Sequence, residues 1–169
     1  AGQPDNVEAA LRQTLNYRAD ATVVVSGAPP VSLIETCIEN GQRVILINRD
    51  DPIEGPEIVL VDNESAAREA CLMLHRAGCR RLAVISSTAG TPRIMAREQS
   101  LVAAAAQLGI ETQVSRAGPT GYATGAEGAR QLLGASNRPD GVFCVTDLLA
   151  LGFMDVARLE FRLTIPDDL

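Results

Sequence analysis

Short, almost wholly apolar runs alternating with stretches of helical period constrain this chain more than any other feature. Residues 22–26 (TVVVS), 44–48 (VILIN), 57–61 (EIVLV), 81–86 (RLAVIS) and 141–145 (GVFCV) read as strands with little polar alternation. Between them, Val7, Leu11 and Leu15 sit four apart, the spacing of one helical face. Ser32 with Glu35 matches a capping box, and Asn40-Gly41 supplies the stop for that second helix. Asp62 or Asn63 can cap a third helix with Ala66, Ala70, Leu74 and Ala77 on one face, closed by Gly78. Further helices are expected over residues 97–108, 122–133 and 148–159, with a weaker strand over 110–115. Continuous apolar strands alternating with helices define an α/β class of doubly wound parallel sheets, covered on both faces.

In such sheets ligands bind outside the carboxyl ends of the strands. Topology therefore selects Ser26-Gly27, Asn48-Arg49-Asp50, Val61-Asp62, Ser86 to Ala89 and Thr146-Asp147 before any chemistry is considered.

Catalytic chemistry has little to build on. His75 is the one histidine, flanked by Leu74 and Arg76 on a helix, and reads as a solvated or half-buried residue. The cysteines, Cys37, Cys71, Cys79 and Cys144, show no CxxC spacing and read as reduced thiols in apolar stretches, so no metal is expected. There is no phosphate-binding GxxxxGK[ST] loop, and no lysine at all. Gly121, Gly125 and Gly128 lack dinucleotide-loop spacing, and the pairs Asp50-Asp51 and Asp167-Asp168 read as solvated charge or helix caps. Neither a cofactor nor an enzyme activity is expected. The net charge is −6 and all 15 basic residues are scattered arginines, which does not form the positive stripe of a nucleic-acid surface. No apolar run approaches the ~20 residues that span a bilayer, so no membrane partner is expected.

Four segments, in order, resemble the effector-binding domain of the LacI/GalR family of transcriptional regulators. Residues 61–86 (VDNESAAREACLMLHRAGCRRLAVIS) resemble its Val-Asp-Asn start, alanine-rich helix, glycine and basic pair before a strand. Arg97 sits where the family has Arg-x-x-Gly-aromatic, and VILINRD (44–50) resembles the strand ending in Asn-Arg or Asp-Arg. Residues 138–169 (RPDGVFCVTDLLALGFMDVARLEFRLTIPDDL) resemble the run from Arg-Pro-Asp to Ile-Pro-x-Asp.

The resemblance implies a two-lobed, periplasmic-binding-protein-like fold. Residues 1–61 would be a partial first lobe, and residues 62–169 a second lobe lacking its last strand. Relative to the family, the expected chain is a fragment without the helix-turn-helix headpiece. Operator DNA would be reached only through that headpiece. Arg97, Asn48, Arg49 and Thr146 are the implied ligand contacts. The guanidinium of Arg97 suits hydroxyls or a carboxylate, and an amide such as Asn48 both donates and accepts. Thr146 replaces the family's usual asparagine. Asp147 reads as the N-cap of the last helix rather than as a ligand contact. Ser100, Leu101 and Val61 stand where relatives carry a glycine and two aromatics, and Arg162 where a helix-ending glycine is expected. The implied function is sensing of a small, sugar-like effector by a cytoplasmic, homodimeric regulator. The alternative on the same fold is a periplasmic sugar-binding protein of an ABC transporter.

Overall fold

A computed structural model of the protein describes residues 4–25, 29–49 and 53–169. The sequence expectations for Ser26-Gly27 and Asp50-Asp51 fall outside the described residues. The elements run α1 (Pro4–Asn16), β1 (Ala21–Val24), α2 (Val31–Glu39), β2 (Arg43–Ile47), β3 (Glu57–Val59), α3 (Asn63–Arg76) and β4 (Arg81–Ile85). They continue with α4 (Pro92–Gln107), β5 (Glu111–Ser115), α5 (Tyr122–Gly134), β6 (Gly141–Cys144) and α6 (Asp147–Leu159). The chain divides into two compact units, Ala1–Val61 and Asp62–Leu169.

In the second unit the parallel sheet has the order β5-β4-β6, with Leu82 paired to Thr112 on one side and Gly141 on the other. The chain moves outward from β4 to β5, then returns past β4 to β6. With right-handed crossovers, that reversal puts α4 and α5 on opposite faces. α3 packs along α4 and α6 along α5, so β4 is sandwiched, and Leu82, Ala83, Val84 and Ile85 are all buried. The α5–α6 pair is held closely by two glycines. A Cβ at Gly125 would collide with the Leu149 carbonyl oxygen, and one at Gly152 with that of Tyr122. At the amino end of the sheet, Asp140 accepts from the backbone N–H groups of Arg80 (2.9 Å) and Arg81 (2.8 Å), tying the entry of β6 to that of β4.

The first unit is wound differently. Its parallel order β1-β2-β3 progresses in one direction, so right-handed crossovers fall on one face. Leu11 of α1 and Leu33, Ile34 and Cys37 of α2 pack there with Val24, Val44 and Leu46. Val23 and Val59 point the other way and are 53% and 49% exposed. The expected two-sided burial therefore holds in the second unit. In the first, among the described residues, helices cover one face.

Helix ends explain the local sequence. α2, α3 and α4 each stop at a glycine with positive φ, Gly41, Gly78 and Gly109. In each case the next N–H reaches back five residues: Gln42 to Cys37 O, Cys79 to Leu74 O, and Ile110 to Ala105 O. α1 closes with the same bond, Ala19 to Thr14 O at 3.1 Å, but on Arg18 at φ 50°. Arg162, beyond α6, also takes a left-handed φ of 57°. The glycine expected there would adopt it without the Cβ penalty. The Ser32 capping box does not form: α2 starts at Val31 after an N-cap at Pro30, which places Ser32 inside the first turn. Asp62 does cap α3, accepting from the Ser65 N–H at 2.9 Å.

Candidate functional site

In the second unit β4 is where the crossovers change direction, and the ends of its strands form the switch point at which α/β sheets bind ligands. α4 begins at Pro92, five residues before the expected start. Thr91 at the N-cap and proline at the first helical position were the sequence signals for that earlier turn. This start places Arg97 in the second turn of α4. Its Nε donates to Asn63 Oδ1 at 2.8 Å and its Nη1 to the Val145 carbonyl at 2.7 Å. A half-buried guanidinium thus joins the start of α3, the second turn of α4 and the end of β6. Thr146 follows Val145 directly, so the Arg97 bond anchors the residue immediately before it. The Thr146 Oγ1 is buried without a hydrogen-bond partner among the described residues. The sequence offers Asn63 only as a possible cap; in the structure it is the acceptor that orients Arg97.

Thr146, not Asp147, is the N-cap residue of α6, in extended conformation at φ −146° and ψ 158°, and its side chain makes no cap hydrogen bond. Asp147 is the first helical residue, where its carboxylate faces the positive end of the helix dipole.

Next to Arg97 lies a pair that sequence reasoning missed. Glu98 is buried on α4 and accepts from Arg116, at the end of β5, through Nε at 3.0 Å and through Nη2. Burial on its own would push this carboxyl up, but the hydrogen bonds and charge of Arg116 outweigh it and hold Glu98 below the usual carboxylate range. The buried Ser86 hydroxyl lies beside the carboxylate and favours its ionised form, although it makes no well-aligned hydrogen bond. Nothing in the local sequence distinguishes Glu98 from an exposed helix acid; Arg116 reaches it from 18 residues away.

The other two expected contacts lie in the first unit, at the end of β2. Asn48 adopts φ 57°, its N–H donates to Val59 O at 2.7 Å, and its Oδ1 accepts from the Val61 N–H at 3.0 Å. The side-chain carbonyl is thereby committed to the chain leaving β3, and the amide NH2 is what Asn48 has left to offer. Arg49 is half-buried and donates from Nη1 to Pro29 O at 3.1 Å.

The four cysteines are free; Cys37 and Cys71 are buried, and Cys79 and Cys144 half-buried. Desolvation pushes the Cys144 thiol up to about 12, which suppresses thiolate chemistry. His75 is half-buried on α3, with its Nδ1 3.4 Å from Arg80 Nη1. Among the described residues, no three His, Cys, Asp or Glu side chains are grouped to hold a metal. Also among these residues, no helix is long and apolar enough to cross a membrane.

The second unit is an α/β domain whose parallel sheet carries polar groups at its topological switch point. Residues 72–169 match the family model described as periplasmic binding protein-like domain. The HTH-type transcriptional repressor CytR of Escherichia coli (strain K12) is 32% identical over 120 residues, covering 68% of this chain and 35% of CytR. The HTH-type transcriptional regulator CelR of Thermobifida fusca is 33% identical over 121 residues, 69% of this chain and 35% of CelR. The fold is also that of a crystal structure of a LacI transcriptional regulator from a Rhodococcus species. That match has a TM-score of 0.80 at 22% identity, over 95% of this chain and 59% of the other. The chain belongs to the periplasmic binding protein-like domain family, in the form found in LacI-type transcriptional regulators. It spans about a third of the length of CytR and CelR. These relatives are transcriptional regulators rather than enzymes, and LacI-family regulators bind small-molecule effectors and operator DNA.

Proposed function

We propose that this chain is the effector-sensing part of a LacI-type regulator. Arg97, Thr146, Asn48 and Arg49 contact a small, polar, sugar-like ligand, and no catalytic step is involved. The observation that carries the reading is Arg97: a half-buried cation fixed at the switch point by Asn63 and Val145, one residue from the unpartnered Thr146 hydroxyl. Buried polar groups are ordinarily satisfied, so a fixed donor array beside an orphan hydroxyl is the signature of a site completed by its ligand.

In the working protein, ligand would favour one disposition of the two lobes and so alter operator affinity through a separate DNA-binding headpiece. The coupling is limited by the ligand's differential affinity for the two states, typically ~1–3 kcal/mol. The reading includes a cytoplasmic location, with which four free cysteines agree, and a homodimer. For the latter, α6 presents Leu148 and Leu151, both about half exposed and three residues apart on one face.

The test is calorimetric titration of the native protein, wild type and Arg97→Ala, with sugars, sugar acids, sugar phosphates and nucleosides. Saturable binding of one class that collapses in the variant is the expected result. Binding that survives the substitution would remove Arg97 from the site.

A further inference from the structure

We infer that the effector carries a negative charge, a carboxylate or a phosphate, that pairs with Arg97. The inference rests on the proposed role of Arg97 as a ligand contact and adds the chemical class of that ligand.

The charge balance around Arg97 carries the argument. Its two protein partners, the Asn63 amide oxygen and the Val145 carbonyl, are both neutral. Elsewhere among the described residues, Arg12 pairs with Glu8, Arg68 with Glu64, Arg116 with Glu98, and Arg130 with Glu127 and Glu160. The pairs of Arg12, Arg68 and Arg130 are exposed on both sides, where water already screens the charge, and Arg116 is itself exposed although its partner Glu98 is buried. Arg97 is half-buried, where a counter-charge is worth more, and makes no ion pair among the described residues.

The neighbouring carboxylate does not relieve this, because Glu98 is taken up by Arg116. Nor does the first turn of α4, which contains no acid and instead places Arg93 one turn before Arg97 on the same face. Like charges at this spacing repel, so the helix carries an uncompensated positive strip.

The bonds at Arg97 use Nε and Nη1, leaving both Nη2 protons without a partner among the described residues. A carboxylate or phosphate oxygen accepts such charged donors more strongly than a sugar hydroxyl does. Thr146, the residue after Val145, has a buried hydroxyl without a hydrogen-bond partner among the described residues, a second polar group with capacity to spare in this stretch. A neutral ligand would satisfy hydrogen bonds here and leave the cation uncompensated. An anion does both.

The experiment is titration calorimetry of the native protein with matched neutral and anionic ligands: glucose with glucuronate and glucose 6-phosphate, ribose with ribose 5-phosphate, and cytidine with cytidine 5′-monophosphate. In the set that binds, the anion is expected to bind about tenfold or more tightly than its neutral parent, the scale of a charge-assisted hydrogen bond. Arg97→Gln should bring the two within about threefold of each other, and Arg97→Lys, which keeps the charge, should retain part of the preference. Circular dichroism melting of both variants checks that they are folded. If the neutral parent binds as tightly as its anion, the charge inference is overturned and the sensor reading stands. An anion preference that persists in folded Arg97→Gln overturns the assignment to Arg97. If no member of any set binds the folded wild type, both inference and sensor reading fall.

Discussion

The two units start from the same sequence grammar, apolar strands between amphipathic helices, and reach different degrees of burial. In the second, the order β5-β4-β6 forces the crossovers onto both faces, and every residue of β4 after Arg81 is buried. In the first, the order β1-β2-β3 keeps them on one face, and all three residues of β3 are exposed. An apolar run therefore does not itself determine two-sided burial. The direction in which the chain returns to its sheet decides that.

The contrast predicts how each unit responds to damage. Leu101→Ala, in the fully enclosed core of the second unit, should cost about 4 kcal/mol, because a cavity between two helical layers cannot collapse. Chemical denaturation read by circular dichroism measures it. Gly152→Val comes next, at about 3 kcal/mol, because its side chain would be driven into the Tyr122 backbone. Near-neutrality of that variant would show that α5 and α6 are not locked together. Leu46→Ala should cost less than Leu101→Ala, about 2 kcal/mol, since a sheet open on one side can relax into the space. Equal losses for the two leucines would break the comparison.

A smaller effect depends on pH. Glu98 titrates lower in the folded chain than in the unfolded one. Its contribution is complete above the unfolded value of about 4.3 and disappears as pH falls through the folded value. Glu98→Gln should therefore flatten the acid limb of the second unit's stability curve. An unchanged limb would assign acid sensitivity to other lowered carboxyls, such as Asp62 and Glu160. Smallest are the two left-handed arginines. Arg18→Gly in the first unit and Arg162→Gly in the second should each stabilise by about 1 kcal/mol or less, seen as a small rise in melting temperature.

Element order was legible because each run announces its own period and most helices carry their own stops. The glycines at 41 and 78 end helices where expected. What misled was local grammar with more than one valid reading. Ser32 and Glu35 have capping-box spacing, yet Pro30, with φ fixed near the helical value, takes the N-cap position first. The early start of α4 was present in Thr91-Pro92 but was obscured by the weak apolar pattern before Arg97. Family resemblance is what singles out Arg97 and Thr146 in the sequence as candidate ligand contacts. The bond from Arg97 to the Val145 carbonyl depends on strand β6 and helix α4 arriving together, which no local spacing encodes. The Glu98–Arg116 pair was invisible for the same reason.

The open side of the first unit has a practical corollary for anyone handling the protein. Val23, Val25, Val59, Leu60 and Val61 are all about half exposed or more, and β1 and β3 are both edge strands of their sheet. The net charge of −6 keeps copies apart in dilute buffer, and concentrated salt, by shrinking the Debye length to ~3 Å at 1 M, removes that protection. Losses on concentration or salting should therefore begin with strand-edge association at this unit, and low ionic strength is the storage condition that the molecule itself recommends.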